Sequence, residues 1–430
     1  MESMKKYFNN ASVCNRCHIL GMLEAQARRE HYSFHTPGHK VAGFDITELV
    51  YSDNLACPSG VLLRAEQDIA SILGAEASFL LTDGSTAGVL SMLYALKQTG
   101  CRKIAAPLLS HKSFFNGCAL LGLTPILFET PMGAAPMPLS VLDVQDALAA
   151  ADALLITSPD YYGNVADLAG IAELCRLQGK PFVVDGAHGG HLHFEYMLYA
   201  GAHADMWVDG VHKSLPAFTQ GAVVSANHGY AEALKCAVDT FRTTSPSYPI
   251  MASVEYAVKY PRNEALEALV KAWKATDDCL YNNDDYTKLC VFTSDGFAVE
   301  RLAIEQGIYP EFSQGNMVCF YLSPAQSETD VERLKVFVEE MKTCGLVVPQ
   351  KRIQRNPAPM ELVDIKDLGT EKVPLVQAEG RICAAVCGLF PPCLPLLVKG
   401  EKITAQKIKE LESASNRFGV EDNLITVVKR

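Results

Sequence analysis

The sequence predicts an α/β fold in which a large, doubly wound domain on a mainly parallel sheet precedes a smaller α+β domain. From about residue 60, helical and strand patterns alternate, as in parallel-sheet proteins. The strand candidates are apolar on both faces, which is typical of strands covered by helices on both sides. After the acidic stretch "TDDCLYNNDDYTK", this rhythm ends and strands and helices mix. We therefore expect ligand chemistry at the carboxyl ends of the parallel strands.

The elements follow in order along the chain. An amphipathic pattern predicts a helix over residues 11–30, and "SGVLLRAEQDIASILG" predicts a second helix that stops at Gly74. Segments between the strands are long enough for one helix each, and a further helical region covers residues 250–278. "NMVCFYL" and "TDVERLKVFVEEMKT" predict a strand and a helix in the last part. The strand candidates of the large sheet are "ASFLL", "KIAAP", "TPILFE", "ADALLITS", "PFVVD", "ADMWVDG" and "GAVVSAN".

This pattern divides the chain into three parts. Residues 1–50 are predicted to form an N-terminal helix and an arm, residues 51–280 the large domain, and residues 281–430 the small C-terminal domain. We detect no internal repeat that would indicate a solenoid.

Composition excludes several classes of function. The net charge of -11 argues against a nucleic-acid partner, because binding a polyphosphate requires a basic face. No apolar run reaches the ~20 residues that a membrane span requires. The 14 cysteines lack the spacing of a disulfide framework, and the N-terminus lacks a signal-peptide core, so we expect a cytoplasmic protein with free thiols. The short motif "CNRCH" has no second half that would complete a zinc site.

Three strand ends carry candidate site residues. "TDGSTAG" places Gly84, Ser85 and Thr86 at the start of a helix, where backbone N–H groups suit a phosphate. Asp185 ends one apolar strand, and Lys213 follows the next. An amine for a Schiff base, a carboxylate for a pyridine nitrogen and an anion cradle are together what pyridoxal phosphate requires.

With these residues, the sequence resembles the ornithine/lysine/arginine decarboxylase family. Its members are pyridoxal-phosphate enzymes of the aspartate-aminotransferase fold type, known as fold type I. The resemblance covers most of the chain and rests on several motifs in the same order. These motifs are "FHTPGHK", "TDGSTAG", "SHKSFFNG", "TSPDYYG", "VDGAHGGHLHF", "HKSLPAFTQGA", "TTSPSYPIMAS", "EGRI" and "LLVKGEKI".

The resemblance implies a role for each matching residue. Lys213 would bond the cofactor through a Schiff base, Asp185 would pair with the pyridine nitrogen, and His111 would stack on the ring. Ser85 and Thr86, together with Gly84, would contact the phosphate. His212 is similar to the family histidine that also reaches the phosphate, and His188 is implied as a further cofactor neighbour.

The resemblance also implies an activity and an assembly. The expected reaction is decarboxylation of a basic amino acid, arginine, lysine or ornithine, to the amine and CO2, as in polyamine biosynthesis. His35 and His39 of "HTPGH" and Tyr161 are implied at the substrate. Enzymes of this fold type build their active sites at a dimer interface, so a homodimer or an assembly of dimers is implied.

Four positions depart from the family pattern. Gly210 stands where a serine commonly helps to hold the phosphate, and Gly186 stands where a glutamate or another side chain is usual. Asp160 occupies a threonine position, and Ala385 occupies a glutamate position. These departures affect phosphate contacts and substrate identity more than the core chemistry.

Three alternative functions remain open from the sequence. Asp185 with His188, His191 and His193 has spacing that a metal-dependent hydrolase could use, whereas the alternative is that His191 and His193 are bystanders in a loop beside the site. The same cofactor could support an aminotransferase or another lyase. A non-catalytic relative is the third alternative, against which Lys213 and Asp185 argue.

Overall fold

The structure is a computed structural model. It describes residues 6–30, 32–40, 44–132, 135–349, 362–363, 365, 368–389, 395–414 and 416–429. Among the helices in these ranges, none is long and apolar enough to cross a bilayer.

Residues up to 280 contain seven strands and eleven α-helices among those described. The strands are β1 (Ala77–Leu81), β2 (Lys103–Pro107), β3 (Thr124–Phe128), β4 (Ala153–Thr157), β5 (Phe182–Asp185), β6 (Met206–Asp209) and β7 (Ala222–Ala226). The helices are α1 (Ala11–Cys14), α2 (His18–Ala27), α3 (Val61–Leu73), α4 (Gly84–Gln98), α5 (Lys112–Leu121), α6 (Val141–Ala149), α7 (Leu168–Leu177), α8 (Val211–Ser214), α9 (Ala231–Phe241), α10 (Tyr248–Val258) and α11 (Glu264–Thr276). Short 3₁₀ helices cover Gly190–Phe194, Tyr196–Leu198 and Ala200–Ala202.

The seven strands form one sheet in the order β1-β7-β6-β5-β4-β2-β3. All neighbouring pairs are parallel except those of β7, which runs antiparallel to both β1 and β6. The carboxyl ends of β4, β5 and β6 therefore lie side by side at one edge of the sheet. This arrangement confirms the predicted mainly parallel α/β fold.

Helices cover both faces of the sheet because its central strands are apolar on both sides. Val184 belongs to one core cluster, with residues of α2, α3, α7 and α10, whereas its neighbour Val183 belongs to a second cluster with residues of α4, α5 and α9. Alternate side chains of a strand point to opposite faces, so an uninterrupted apolar run fits this position. Gly74 ends α3 with φ 68°, a left-handed conformation that glycine adopts readily.

The part after residue 280 consists of small antiparallel sheets and helices. Its strands are β8 (Lys288–Phe292), β9 (Phe312–Gln314), β10 (Met317–Tyr321), β11 (Thr370–Pro374), β12 (Cys387–Leu389), β13 (Pro395–Leu397), β14 (Arg417–Phe418), β15 (Val420–Glu421) and β16 (Leu424–Val428). They pair as β8-β10-β9, β11-β16-β15 and β13-β12-β14. The helices are α12 (Gly296–Glu305), α13 (Glu328–Thr343) and α14 (Ala405–Ser413), with a 3₁₀ turn at Leu375–Gln377.

The structure refines two expectations about helices. The predicted N-terminal helix is two helices, because the backbone turns between α1 and α2 and Cys17 becomes the N-cap of α2. Helix α11, which the sequence assigned to the large domain, packs Leu266 and Val270 into the same core cluster as β8 and β10. The division at residues 50 and 280 stays a prediction.

Candidate active site

Asp185 is a buried carboxylate at the edge where the parallel strands end. It closes β5, lies opposite Thr157 of β4 and Val208 of β6 in the sheet register, and is 4% exposed. Its Oδ1 accepts a hydrogen bond from the Ala187 backbone N–H at 3.2 Å. Burial raises the pKa of Asp185, and the Lys213 ammonium partly offsets this rise. A buried carboxylate of this kind is suited to a cationic partner.

Lys213 lies on the short helix that follows β6 and faces the turn after β5. Its Nζ is 3.2 Å from Nε2 of His188, a ring that is 2% exposed. Burial, followed by the charges of Lys213 and Lys288, holds the pKa of His188 far below its ordinary value. His188 is therefore a neutral imidazole at physiological pH, and its Nε2 can accept a hydrogen bond from the Lys213 ammonium.

His111 is close enough to Lys213 for the lysine charge to affect it. It is the N-cap residue of α5, and its Nδ1 accepts the Ser113 backbone N–H at 3.2 Å. Burial and the nearby charges of Lys213 and Lys112 lower the pKa of His111 to about 4. An uncharged imidazole held by its own helix cap is suited to stacking on a flat ring.

The first turn of α4 and the segment after Lys213 lie together. The Gly84 backbone N–H donates to Gln220 O at 2.9 Å, and Nδ1 of His212 is 2.9 Å from the next carbonyl oxygen, that of Gly221. The N-cap Asp83 makes no side-chain cap hydrogen bond, and Ser85 and Thr86 lie in this uncapped first turn. The positive end of a 15-residue helix, with a histidine beside it, is suited to an anion.

Gly210 cannot carry the serine that the family pattern expects. A Cβ at this position would lie 2.5 Å from the backbone oxygen of Ala187, closer than real Cβ contacts allow. A serine hydroxyl therefore has no place here, which leaves the α4 turn and His212 as the predicted phosphate contacts. Gly186 is also confined, because its Cβ would lie 3.0 Å from Val208 O.

We expect Gly210→Ser to destabilise the protein by ~1–3 kcal/mol, the range for forcing extra atoms into a packed site. Thermal unfolding of the variant would measure this loss. Gly315→Ser is the matched control, since a Cβ there meets nothing within 4 Å. A Gly210→Ser melting temperature equal to that of the wild type would contradict the steric argument.

The structure does not bring together the side chains that the metal interpretation of the Asp185–His193 stretch requires. His191 turns away from Asp185, and its Nε2 pairs with Oδ1 of Asp285 at 2.8 Å. The Nδ1 of His193 binds the Gly190 carbonyl oxygen at 2.7 Å. Within the described ranges, the clusters of potential metal ligands lie elsewhere, and none contains a residue of this stretch. The close spacing in sequence does not bring these ligand atoms together.

The C-terminal strands contribute residues that the sequence analysis missed. Lys288 and Tyr321 lie against the turn that carries His188: the Lys288 ammonium is 3.4 Å from the His188 carbonyl oxygen, and the Tyr321 ring centroid is 5.6 Å from that of His188. Asp285 pairs with Lys288 at 3.3 Å. No local motif marks these residues, because only the folded arrangement brings them to the site.

The three residues implied at the substrate differ in their placement. Tyr161 stacks on His188, with ring centroids 4.5 Å apart, and so forms one wall of the site. His35 contacts the carbonyl oxygen of Thr36 within its own segment. His39 pairs with Asp45 at 3.1 Å. The role of His35 and His39 at the substrate stays a prediction.

An apolar cavity opens beside Tyr161. The cavity is lined by Thr157, which lies at the strand edge that carries Asp185. Its acidic group is Asp160, and burial raises the pKa of this carboxyl to about 6. The carboxylate of Asp160 accepts hydrogen bonds from the Tyr162 and Asn164 backbone N–H groups at 2.8 and 3.0 Å. The remaining walls are formed by Pro107, Leu109, Thr130, Pro136, Met137, Pro138, Leu139 and Ala166.

A mainly parallel sheet with β7 reversed, a lysine after β6 and an aspartate ending β5 together define an enzyme of the fold type I, pyridoxal-phosphate class. Comparison with protein families shows which family of this class the chain matches. Residues 40–279 match the Orn/Lys/Arg decarboxylase major domain, and residues 340–418 match the C-terminal domain of the same family. Because the first match spans more than half of the chain, the protein belongs to the Orn/Lys/Arg decarboxylase family, which comprises amino-acid decarboxylases that use pyridoxal phosphate.

Individual relatives agree with this assignment. The chain is 26% identical to an arginine decarboxylase of Bacillus subtilis, over 95% of this chain and 96% of that protein. It is also 26% identical to an arginine decarboxylase of Halalkalibacterium halodurans, over 92% of each. Its fold is similar to that of the Escherichia coli constitutive lysine decarboxylase, with a TM-score of 0.71, 18% identity, and coverage of 97% of this chain and 82% of that one.

The residues present fit pyridoxal phosphate. Asp185 is buried with a single backbone N–H donating to its side chain, which leaves acceptor capacity for a ring N–H. The buried Nδ1 of His188 has no hydrogen-bond partner among the described residues. The uncapped start of α4 provides donors for a phosphate. Each of these polar groups lacks a full set of partners in the protein alone.

Proposed function

We propose that the protein decarboxylates a basic amino acid, arginine, lysine or ornithine, to the corresponding amine and CO2. The observation that carries the proposal is the convergence of Lys213, Asp185 and His111 at one strand edge in a member of the Orn/Lys/Arg decarboxylase family. The same chemistry would make the product a precursor of polyamines.

Each of these residues has a separate task in this proposal. Lys213 would hold the cofactor covalently, and Asp185 would keep its ring nitrogen protonated. His111 would lie against its ring. When bound, pyridoxal phosphate supplies an electron sink for the charge that remains on Cα when CO2 leaves. The α4 turn and His212 would hold the phosphate and fix the orientation, which decides the Cα bond that breaks.

Proton return to Cα falls to the pair formed by Lys213 and His188. Their nitrogen atoms are 3.2 Å apart, within hydrogen-bond distance, and His188 is neutral. The neutral imidazole can accept a hydrogen bond from the Lys213 ammonium at Nε2, so it would hold that ammonium in place as the proton donor to Cα. Tyr161, which is buried, and Tyr321, which is half-buried, pack against His188 and would limit the access of water to this exchange.

The cavity beside Tyr161 supports a substrate with an aliphatic chain and a cationic end. Its walls are largely apolar, and Asp160 supplies an acidic group where the family pattern has a threonine. A cation placed there would favour the ionised carboxylate. The names of the relatives point in the same direction, because two of them are arginine decarboxylases.

A panel of amino acids incubated with the holoenzyme would test this function. We expect CO2 and the matching amine, identified by mass, from at least one of arginine, lysine and ornithine. Leucine and glutamate are the controls for a neutral and an acidic side chain. Keto-acid formation without CO2 would instead indicate an aminotransferase, and no turnover of any amino acid would favour a non-catalytic relative.

We further propose a cytoplasmic homodimer or assembly of dimers. Every cysteine in the described ranges is a free thiol, which agrees with a reducing compartment. Tyr32 and Phe34, next to His35, are 80% and 95% exposed, so the arm presents aromatic surface that a second subunit would cover. Analytical ultracentrifugation of the holoenzyme would measure the assembly, and a monomer at micromolar concentration would contradict it.

A further inference from the structure

We infer that Lys288, on the first strand of the C-terminal region, is a positioning residue for the active site: it fixes His188 against Lys213 and sets the charge that His188 faces. The inference rests on the proposed function of the Lys213–His188 pair. It assigns a role in the reaction to a residue that lies outside the large sheet.

The Lys288 side chain is fully buried and has several polar partners. Its ammonium donates to the carbonyl oxygen of His188 at 3.4 Å and to Oγ1 of Thr287 at 2.9 Å, and lies 3.3 Å from Oδ2 of Asp285. It also lies 4.5 Å from the Tyr321 ring centroid, a cation–π distance. Burying an ammonium is costly unless it is paired, so this arrangement holds the turn after β5 firmly.

Asp285 contacts the turn after β5 at a second point. Its Oδ1 pairs with Nε2 of His191 at 2.8 Å, and both side chains are at most 1% exposed. Thr287 donates to the same oxygen at 2.7 Å. The Lys288–Asp285 pair therefore holds the turn at the His188 carbonyl and at the His191 ring. His191, which the sequence placed as a bystander, is an anchor of this turn.

The ring of His188 is held on two sides as well. Tyr161 lies 4.5 Å from it at 56°, and Tyr321 lies 5.6 Å from it at 85°. The Tyr321 hydroxyl donates to the carbonyl oxygen of Tyr161 at 2.7 Å, which ties the two walls together. With backbone and ring both fixed, Nε2 of His188 is directed at Lys213.

Charge distinguishes this role from a merely structural one. The charged groups that face His188 are Lys213, Lys288 and Asp285, and the other titratable groups are His111, Tyr161 and Tyr321. The two lysines disfavour a protonated imidazole, whereas Asp285 favours it. Asp285 itself is ionised, since its pKa is held far below the ordinary value by His191 and Lys288 against the effect of burial. Lys288 and Asp285 therefore act on His188 with opposite sign.

Because Lys288 and Asp285 affect the pKa of His188 in opposite directions, their removal should shift the pH profile in opposite directions, which a folding defect would not do. Lys288→Met removes a cation, so the pKa of His188 rises and the acidic limb of the kcat/KM profile should move up by about one pH unit. Asp285→Asn removes the opposing charge, so the same limb should move down. Lys288→Arg should retain the wild-type profile. The double variant of Lys288→Met and Asp285→Asn removes both opposing charges, so its acidic limb should lie between those of the two single variants.

Lys274→Met is the matched control. Lys274 is another buried lysine of this cluster, but its ammonium donates to Oδ1 of Asn283 and to the backbone oxygen of Asp285, not to His188. It should lower the melting temperature without moving the acidic limb by more than ~0.2 pH units, a small fraction of the shift that a close charge produces.

A second measurement is independent of turnover: the pH midpoint at which the visible absorption of the bound cofactor changes. This midpoint reports on the Lys213 nitrogen, and it should rise in Lys288→Met and fall in Asp285→Asn. Shifts of the same sign in both variants, or no shift in an active enzyme, would overturn the inference. If the wild type decarboxylates no amino acid, the proposed function fails, while opposite spectral shifts would still support the positioning role.

Discussion

Replacing Lys213 with alanine is expected to abolish decarboxylation, with CO2 release falling at least ~10³-fold at saturating pyridoxal phosphate. The substitution removes both the amine that would bond the cofactor and the nitrogen that lies 3.2 Å from His188. Since Lys213 is also a cation beside Asp185 and His111, its loss changes the charge of the whole edge. The visible absorption band of the holoenzyme should disappear with the activity.

Lys180→Ala is the control for this experiment. Lys180 precedes β5 at the opposite end of the sheet, where its ammonium donates to the Leu148 carbonyl oxygen. Its loss removes a lysine from the same strand layer without touching the site. A Lys213→Ala protein that retained the band or a measurable share of the activity would refute the assignment of Lys213.

Asp185→Asn is expected to lower kcat by ~10²–10³-fold and to leave KM within a few-fold of the wild type. Asparagine has the same shape but no negative charge, so it cannot hold a ring nitrogen protonated. Because burial raises the pKa of Asp185, the folded protein alone does not favour the charged carboxylate. The variant should therefore be at least as stable as the wild type, and steady-state kinetics with a thermal melt would measure both effects.

Asp209→Asn provides the matched comparison. Asp209 ends the neighbouring strand β6 and is equally buried, with burial raising its pKa to about 7. Its Oδ2 accepts a hydrogen bond from the Tyr199 hydroxyl at 2.6 Å, which gives it a structural role. Its substitution should affect stability more than kcat. Equal losses of kcat in the two variants would contradict the specific role of Asp185.

The large sheet was predictable from the sequence because its strands are short apolar runs with clear ends. "ASFLL" and "KIAAP" coincide with β1 and β2 residue for residue, and the other strands differ at their ends by one or two residues. Asp185 and Lys213 followed from the same logic, since parallel strands deliver their carboxyl ends to one edge. The confirmed family then agrees with this part of the analysis.

The remaining features depend on contacts between distant parts of the chain. Lys288 is an ordinary lysine in the sequence, and its burial at His188 arises only when β8 packs against the large sheet. The role of His191 was missed for the same reason, because its partner Asp285 is 94 residues away, within the acidic stretch that predicted a domain boundary. The lack of space at Gly210 depends on the path of the Ala187 backbone, which no local pattern encodes.

The contact of Lys288 and Tyr321 with the His188 turn limits how the enzyme can be recombined. Among the described residues, the buried members of the two core clusters of the large sheet end at Val258. The site, in contrast, takes Lys288 and Tyr321 from the C-terminal region. A chimaera that exchanges this region with a relative would keep its main core but would recover full turnover only if the donor supplied a cation and an aromatic ring at these two places. The residues that form the main core and some of the residues that complete the site therefore lie in different parts of the chain.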